Sequence, residues 1–394
     1  MEKTYVKYAA LYNFSYMSIG ALLPLIGQYM KYIGFTGTQI GAVTATGTAV
    51  AIFASAFWGK IYSRSEKKQQ ILMLLCIVAA AVCFLLSNIK EYGVFLLVFG
   101  IMYFFQAPIM SLTDAFTVES RQSFGTLRAW GAVGFSLGIF LAGNVTDILG
   151  LDKIFWFYII SFAIAAVMLR SIRTAGGKND DVKEEREKKA SGYKSILANK
   201  NIRRLIICAF FMGGTNVANN TYFSFLYIEG GGTVAGVGIA MLLMVGSEVP
   251  FMAWCEKLAG RFTMERIIMA AMIISAARFM LYGLGLPWWC LILLFFSQGA
   301  VNGILLIEFV RYVSYLAPKG SESIAISAYY IIGSNLSTIC CQMIGGLILD
   351  GAGAYGVYMF FGLFNLAGVI LYWRFGLYKG NKPEREARIK NIKK

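Results

Sequence analysis

Arg128 and Asp114 are the residues of this chain best placed to do chemistry. Arg128 stands in the run Phe124-Gly125-Thr126-Leu127-Arg128-Ala129-Trp130-Gly131-Ala132-Val133-Gly134-Phe135, where a long apolar segment opens. Asp114 interrupts the end of the apolar segment before it. A charge in hydrocarbon is expensive, so it marks a partner, a water-filled cavity or a substrate path. An acid and a base on consecutive apolar segments joined by a short loop suit a polar site inside a helical bundle. The guanidinium is a planar fork that fits paired oxygens, whether of a carboxylate or of vicinal hydroxyls. The aspartate accepts hydrogen bonds from hydroxyls. Together they suit a sugar-like or nucleoside-like ligand, whereas Arg128 alone would suit an organic acid.

A second set of charges interrupts the later apolar runs. Glu248 lies in Val245-Gly246-Ser247-Glu248-Val249-Pro250 and Arg278 in Ser275-Ala276-Ala277-Arg278-Phe279. At 1.5 Å rise per residue, Glu248 sits roughly 15 Å and Arg278 roughly 20 Å from the inner ends of their helices. An ion pair is therefore expected, either as a fixed tie between helices or as a substrate and proton site that changes partners. A carboxylate without a permanent partner can carry a proton. Glu308 and Arg311, three residues apart, share one helical face and suit a local gate. Glu119, Arg121, Glu256 and Lys257 suit gate contacts or solvated helix ends. Asn13, Gln106, Asn216, Asn219, Asn220, Gln298, Asn302, Asn335 and Gln342 add uncharged polar groups inside apolar runs, enough to suggest a water-filled cavity. Tyr16, Trp130, Phe135 and Tyr222 could stack on a ring.

The elements that must hold these residues follow from composition. The 394 residues are 58% hydrophobic and 14% charged, against about 25% charged for a soluble domain. Twelve apolar runs occur, at about 8–30, 38–62, 70–88, 93–118, 126–149, 153–171, 203–228, 234–256, 264–283, 288–314, 323–349 and 354–376. Each can cross a hydrocarbon core of about 30 Å. They are too long for barrel strands and lack strict alternation, so the expected fold is an all-α membrane bundle of twelve helices. The first run is too long for a cleavable signal core and is kept as the first helix. Of the 36 basic residues, 30 fall on one side of the alternating loops and three, Lys31, Lys90 and Lys153, on the other. That asymmetry places both termini in the cytoplasm of a multi-pass inner-membrane protein. It also explains the net charge of +15 by contact with anionic membrane lipid rather than nucleic acid.

A polar, mixed-charge stretch divides the runs six and six. The expected units are a six-helix bundle over 1–171, a linker over 172–200, a second bundle over 201–378 and a basic tail over 379–394. Trp58-Gly59-Lys60 and Trp254-Cys255-Glu256-Lys257 echo one another at matching places in the two halves, as in transporters built from repeats. Gly131, Gly134 and Gly138 suit close helix packing. Gly230-Gly231-Gly232 does not follow a strand and reads as a turn. Seven cysteines without ligand spacing and no histidine argue against a metal site or a disulfide framework. No nucleophile motif is present, so an enzyme is not expected, nor is a cofactor.

The pattern resembles the major facilitator superfamily, and within it the group of lactose permease, nucleoside–proton symporters and phenylpropionate transporters. Thr113-Asp114-Ala115-Phe116 and Gly125 through Phe135 carry the resemblance. It implies two pseudo-symmetric six-helix halves. It also implies that Asp114 and Arg128 bind sugar, that Phe135 stacks on it, that Glu248 contacts substrate and couples protons, and that Arg278 partners Glu248. The loop over 59–68 resembles the superfamily's loop between helices two and three, with Arg64 as a gate contact and Ser63 in place of the usual aspartate. Lactose permease's histidine and glutamate of helix ten read here as Gln298 and Val301. Its charged pair between helices seven and eleven reads as Asn219 and Asn335. Lactose-type coupling is therefore not expected, and Glu248 and Asp114 remain the proton carriers.

The expected function is secondary transport of a small polar solute, sugar or nucleoside, by alternating access and proton symport in a monomer. Asp114, Arg128, Phe135, Glu248, Asn219 and Gln298 would bind substrate. Glu248, Asp114 and Arg278 would couple protons, and Glu308, Arg311 and Arg64 would gate. An importer of an aromatic carboxylate and a proton-driven exporter of amphipathic compounds are the alternatives.

Overall fold

The computed structural model describes residues 2–120, 124–172, 196, 198–259, 262–318 and 321–379, with the side chains of 2–3, 249–259 and 306 left aside. Arg121, most of the linker and almost all of the basic tail lie outside these residues, as do the side chains of Glu256 and Lys257.

The described chain is helical nearly throughout. Six helices come first: α1 Glu2–Tyr32, α2 Gly37–Arg64, α3 Lys68–Leu86, α4 Tyr92–Glu119, α5 Phe124–Leu149 and α6 Lys153–Ser171. They are followed by α7 Lys200–Glu229, α8 Val234–Ala259, α9 Met264–Tyr282 and α10 Trp288–Leu316. Then α11 Glu322–Ala328 runs through a π-helical segment, Tyr329–Leu336, into α12 Ser337–Arg374, which is broken at Gly353 (φ 66°, ψ −171°). Among the described residues, eight helical stretches are long and apolar enough to cross a membrane: α1 to α6, α10, and the continuous stretch Glu322–Arg374. Backbone polar groups in lipid must be satisfied within the segment, and these helices do so.

Turn chemistry sets several helix ends. Thr36 caps α2 in a reciprocal box with Gln39. The Glu91 carboxylate caps α4 by accepting from the Gly93 and Val94 amides at 2.9 and 2.7 Å. Those amides, Val94 foremost, hold its carboxyl below the usual range. Gly230 ends α7, and Gly231 has φ 88°, so the glycine triplet is the expected turn.

α1 and α5 pack backbone to backbone. A Cβ at Gly134 would overlap the Asn13 carbonyl, at Gly138 the Met17 carbonyl, and at Gly20 the Phe135 carbonyl. This is the close approach expected of the glycines in α5. The same device joins the first six helices to the later ones. Gly41 and Gly37 of α2 meet Gln342 and Gly346 of α12, and Gly238 of α8 meets Ile139 and Phe140 of α5.

These joining contacts gather at the end of the bundle that carries the α1–α2 turn. Gln28 donates to Ser224 Oγ at 3.3 Å, and Thr48 donates to Gln342 Oε1 at 3.1 Å. Asp350, in α12 just before the Gly353 break, accepts from the Thr38 amide at 2.8 Å, the Thr38 hydroxyl at 2.6 Å and the Gly37 amide. It thereby supplies acceptors to the orphan N–H groups at the start of α2. At the opposite end, Lys68 pairs with Glu119 at 2.7 Å, both within the first six helices.

Candidate functional site

Asp114 and Arg128 meet as the sequence anticipated. α4 carries Asp114 five residues before its end, and α5 carries Arg128 four residues after its start. The short connection turns the chain back, so both side chains lie about 6–8 Å from the same end of the bundle. They form an ion pair whose side chains are 27% and 44% exposed, so the pair faces an opening rather than a closed core.

α1 completes this site. The Tyr12 hydroxyl donates to Asp114 Oδ1 at 2.9 Å, and the Arg128 guanidinium lies 5.0 Å from the Tyr16 ring centroid. The Tyr12 and Tyr16 rings stack with centroids 6.2 Å apart. A cation over a ring face is attracted by it, which helps to hold the guanidinium in place. Phe135 lies two turns beyond Arg128 on the same side of α5, partly buried against the core. Tyr12 was missed in the sequence. Its signal is the series Tyr5, Tyr8, Tyr12, Tyr16, spaced to fall on one helical face.

A second polar cluster joins α7, α8 and α10. Asn302 of α10 lies close to the Glu248 carboxylate of α8. Gln298 Nε2 donates to Asn302 Oδ1 at 3.1 Å and to Asn216 Oδ1 at 3.4 Å. Ser247 donates to the Phe296 carbonyl at 2.9 Å, and Gly299 leaves room for α8 to press on α10. Glu248 is partly accessible, while Gln298 is buried with its Oε1 unpartnered. Glu248 and Gln298 thus lie in one polar cluster around Asn302.

One expectation fails here. Arg278 does not pair with Glu248. Its guanidinium is 2% exposed, lies 4.6 Å from the Phe279 ring and 6.0 Å from the Tyr282 ring, and its nitrogens have no hydrogen-bond acceptor among the described residues. The two charges sit at similar depth but on helix faces turned to different neighbours. Asn219, expected to bind substrate, lies elsewhere in α7. It is fully buried, and its Oδ1 accepts from the Tyr358 hydroxyl at 2.6 Å.

The remaining charges occupy the helix ends. Glu308, 1% exposed, accepts from Arg311 at 3.0 Å, as their spacing implied. An opening of about 460 Å³ beside Arg311 is lined also by Met264, Val310, Ser314 and Tyr315. Arg64 is exposed at the last residue of α2. Among the described residues no group of histidine, cysteine or acidic side chains is arranged to hold a metal.

Residues 5–360 match the sequence profile of the MFS_1 like family. The chain belongs to that family of the major facilitator superfamily. It is similar to the maltose permease of Geobacillus stearothermophilus, with 28% identity and 91% of each chain covered. It is also similar to the probable 3-phenylpropionic acid transporter of Escherichia coli, with 24% identity over 82% of this chain and 86% of that one. The fold is that of the nucleoside transporter NupG, with a TM-score of 0.81, 16% identity, and 96% of this chain and 100% of that chain covered. As a major facilitator the chain is an integral membrane transporter and not an enzyme.

Proposed function

We propose that this facilitator is a secondary active transporter that moves a small hydroxylated solute, sugar ahead of nucleoside, by alternating access coupled to protons. The observation that carries the substrate class is the half-exposed Asp114–Arg128 pair beside the stacked Tyr12 and Tyr16 rings. A carboxylate and a planar guanidinium offer matched acceptors and donors to vicinal hydroxyls, and the rings offer an apolar face to a sugar or base. The maltose permease relative supports the sugar reading. An aromatic carboxylate, favoured by the phenylpropionic acid relative, would have to displace Asp114 from Arg128.

The proposed architecture has twelve crossings in two halves of six. α7, α8 and α9, with 30, 26 and 19 residues, also have the length to cross. Glu322–Arg374 would be about 80 Å long if straight, so its break at Gly353 makes two crossings of it. With the basic loops in the cytoplasm, the end closed by Asp350 and the glycine contacts faces outward, and the site opens inward. Substrate would lie between Asp114–Arg128 of the first half and the Glu248–Asn302–Gln298 network of the second. Glu248 would carry the coupling proton. Glu308, Arg311 and Arg64 would act at the inner gate.

Uptake by proteoliposomes, acidic outside, of radiolabelled disaccharides and nucleosides tests this reading. Accumulation of one class that collapses with a protonophore is expected. Accumulation of neither, or accumulation indifferent to the protonophore, would overturn it.

A further inference from the structure

α7, α9 and α12 share a polar seam that the proposed transport site does not use. Thr215 donates to Asn365 Oδ1 at 2.8 Å, and Asn365 Nδ2 donates to Ser275 Oγ at 2.9 Å. One turn further along α9 the balance of donors and acceptors changes. Arg278, Tyr282 and Asn219 Nδ2 all carry hydrogens, and the three Arg278 nitrogens, the Tyr282 hydroxyl and Asn219 Nδ2 have no partner among the described residues. Of the nearby side-chain acceptors, Asn219 Oδ1 already accepts from Tyr358 at 2.6 Å and Ser275 Oγ from Asn365, while the Tyr282 hydroxyl, itself neutral, can accept as well as donate.

The groups are contiguous. The Arg278 guanidinium lies 6.0 Å from the Tyr282 ring, and the Tyr282 and Tyr358 rings are edge to face at 5.4 Å. Tyr358 then reaches Asn219. Tyr282, Tyr358 and Asn219 are fully buried, and Phe279 and Phe361 wall the cluster. The ionisable side chains that act on Arg278 are Tyr282 and Tyr358, and neither is an acid that would be ionised beside it at neutral pH. An arginine stays charged in a protein, so it cannot escape burial by losing a proton. Stacking on Phe279 and Tyr282 compensates only part of that charge.

We infer that Arg278, Tyr282 and Asn219 form an enclosed site for a small inorganic anion of chloride size, inside the later helices and apart from the transport site. A chloride would accept from guanidinium, phenol and amide together and would neutralise the buried charge. Water fits the cluster less well, because it can accept from these donors but leaves the buried guanidinium charge uncompensated. Complete burial among aromatic rings suits an ion of chloride size rather than a bulkier organic acid. The inference holds whatever solute the Asp114–Arg128 site takes.

Purified full-length protein is melted in sodium chloride, sodium bromide and sodium gluconate at equal ionic strength. Chloride and bromide should raise the melting temperature saturably, and gluconate should not. Crystals grown in bromide should show anomalous density beside Arg278. Tyr282→Phe removes one O–H donor at almost constant shape and should raise the half-saturating chloride concentration by about fivefold. Arg278→Gln should abolish the chloride response; if that variant does not fold, Tyr282→Phe decides. Equal melting in chloride and gluconate, an unchanged half-saturating concentration in Tyr282→Phe, or only water beside Arg278 in bromide crystals would overturn the site.

Discussion

At Asp114 and Arg128 the ion pair is partly solvated, and such pairs contribute only about 0–1 kcal/mol to stability. What the pair provides is orientation, because Tyr12 holds one carboxylate oxygen and Tyr16 helps to hold the guanidinium. Tyr12→Phe should therefore leave the melting temperature nearly unchanged and weaken substrate binding about fivefold, or about 1 kcal/mol, in a titration calorimeter. An unaltered affinity would remove Tyr12 from the site. Glu248→Gln keeps the shape of the α7–α8–α10 network but cannot carry a proton. It should abolish accumulation driven by a pH gradient while retaining counterflow exchange, and undiminished gradient-driven uptake would contradict the proposed coupling. The sequence made the first pair legible because two segments sharing one short turn must bring their near ends together. It misled about Arg278 because depth along a helix can be counted and azimuth cannot. In a membrane helix the lipid face and the packed face are both apolar, so periodicity does not mark which way Arg278 or Glu248 points.

Among elements, the helix boundaries were the most readable feature, since polar turns interrupt apolar runs. The gap expected between 349 and 354 coincides with the non-helical Gly353. The glycine pattern of α5 was also legible in kind, as close packing, although its partner α1 was not. That pairing spans more than a hundred residues, as with Gly134 against Asn13, and no local signal encodes it. The π-helical segment Tyr329–Leu336 was invisible. It lies against α7, where Ser337 accepts from the Gly214 amide at 3.1 Å and donates to the Phe210 carbonyl, a tertiary contact that composition does not report. At the element scale Gly134→Val is the sharp test. A branched side chain there must displace the α1 backbone, costing about 1–3 kcal/mol or more. The variant should melt several degrees lower or elute as aggregate in size-exclusion chromatography, and wild-type behaviour would mean that α1 and α5 are not in backbone contact.

Across the whole molecule the contacts between earlier and later helices gather at one end, so that end must part if the site is to open on both sides in turn. Asp350 makes three hydrogen bonds there and completes the start of α2 from the far side of the junction. Asp350→Ala should loosen that end. A cysteine placed at Thr48, in a cysteine-free background, should then react several-fold faster with an impermeant maleimide added from outside, whereas an unchanged rate would mean the end is held by packing alone. This tie was not legible, since an acid just before Gly351-Ala352-Gly353 reads as an ordinary helix end. We propose that the hydroxylated solute binds at Arg128. The most direct test is the thermal stability of the purified protein, wild type and Arg128→Ala, against matched panels of sugars, nucleosides and aromatic carboxylates. Sugars or nucleosides should stabilise the wild type and lose that effect in the variant. Stabilisation by aromatic carboxylates alone, or a sugar response that survives in Arg128→Ala, would contradict the account.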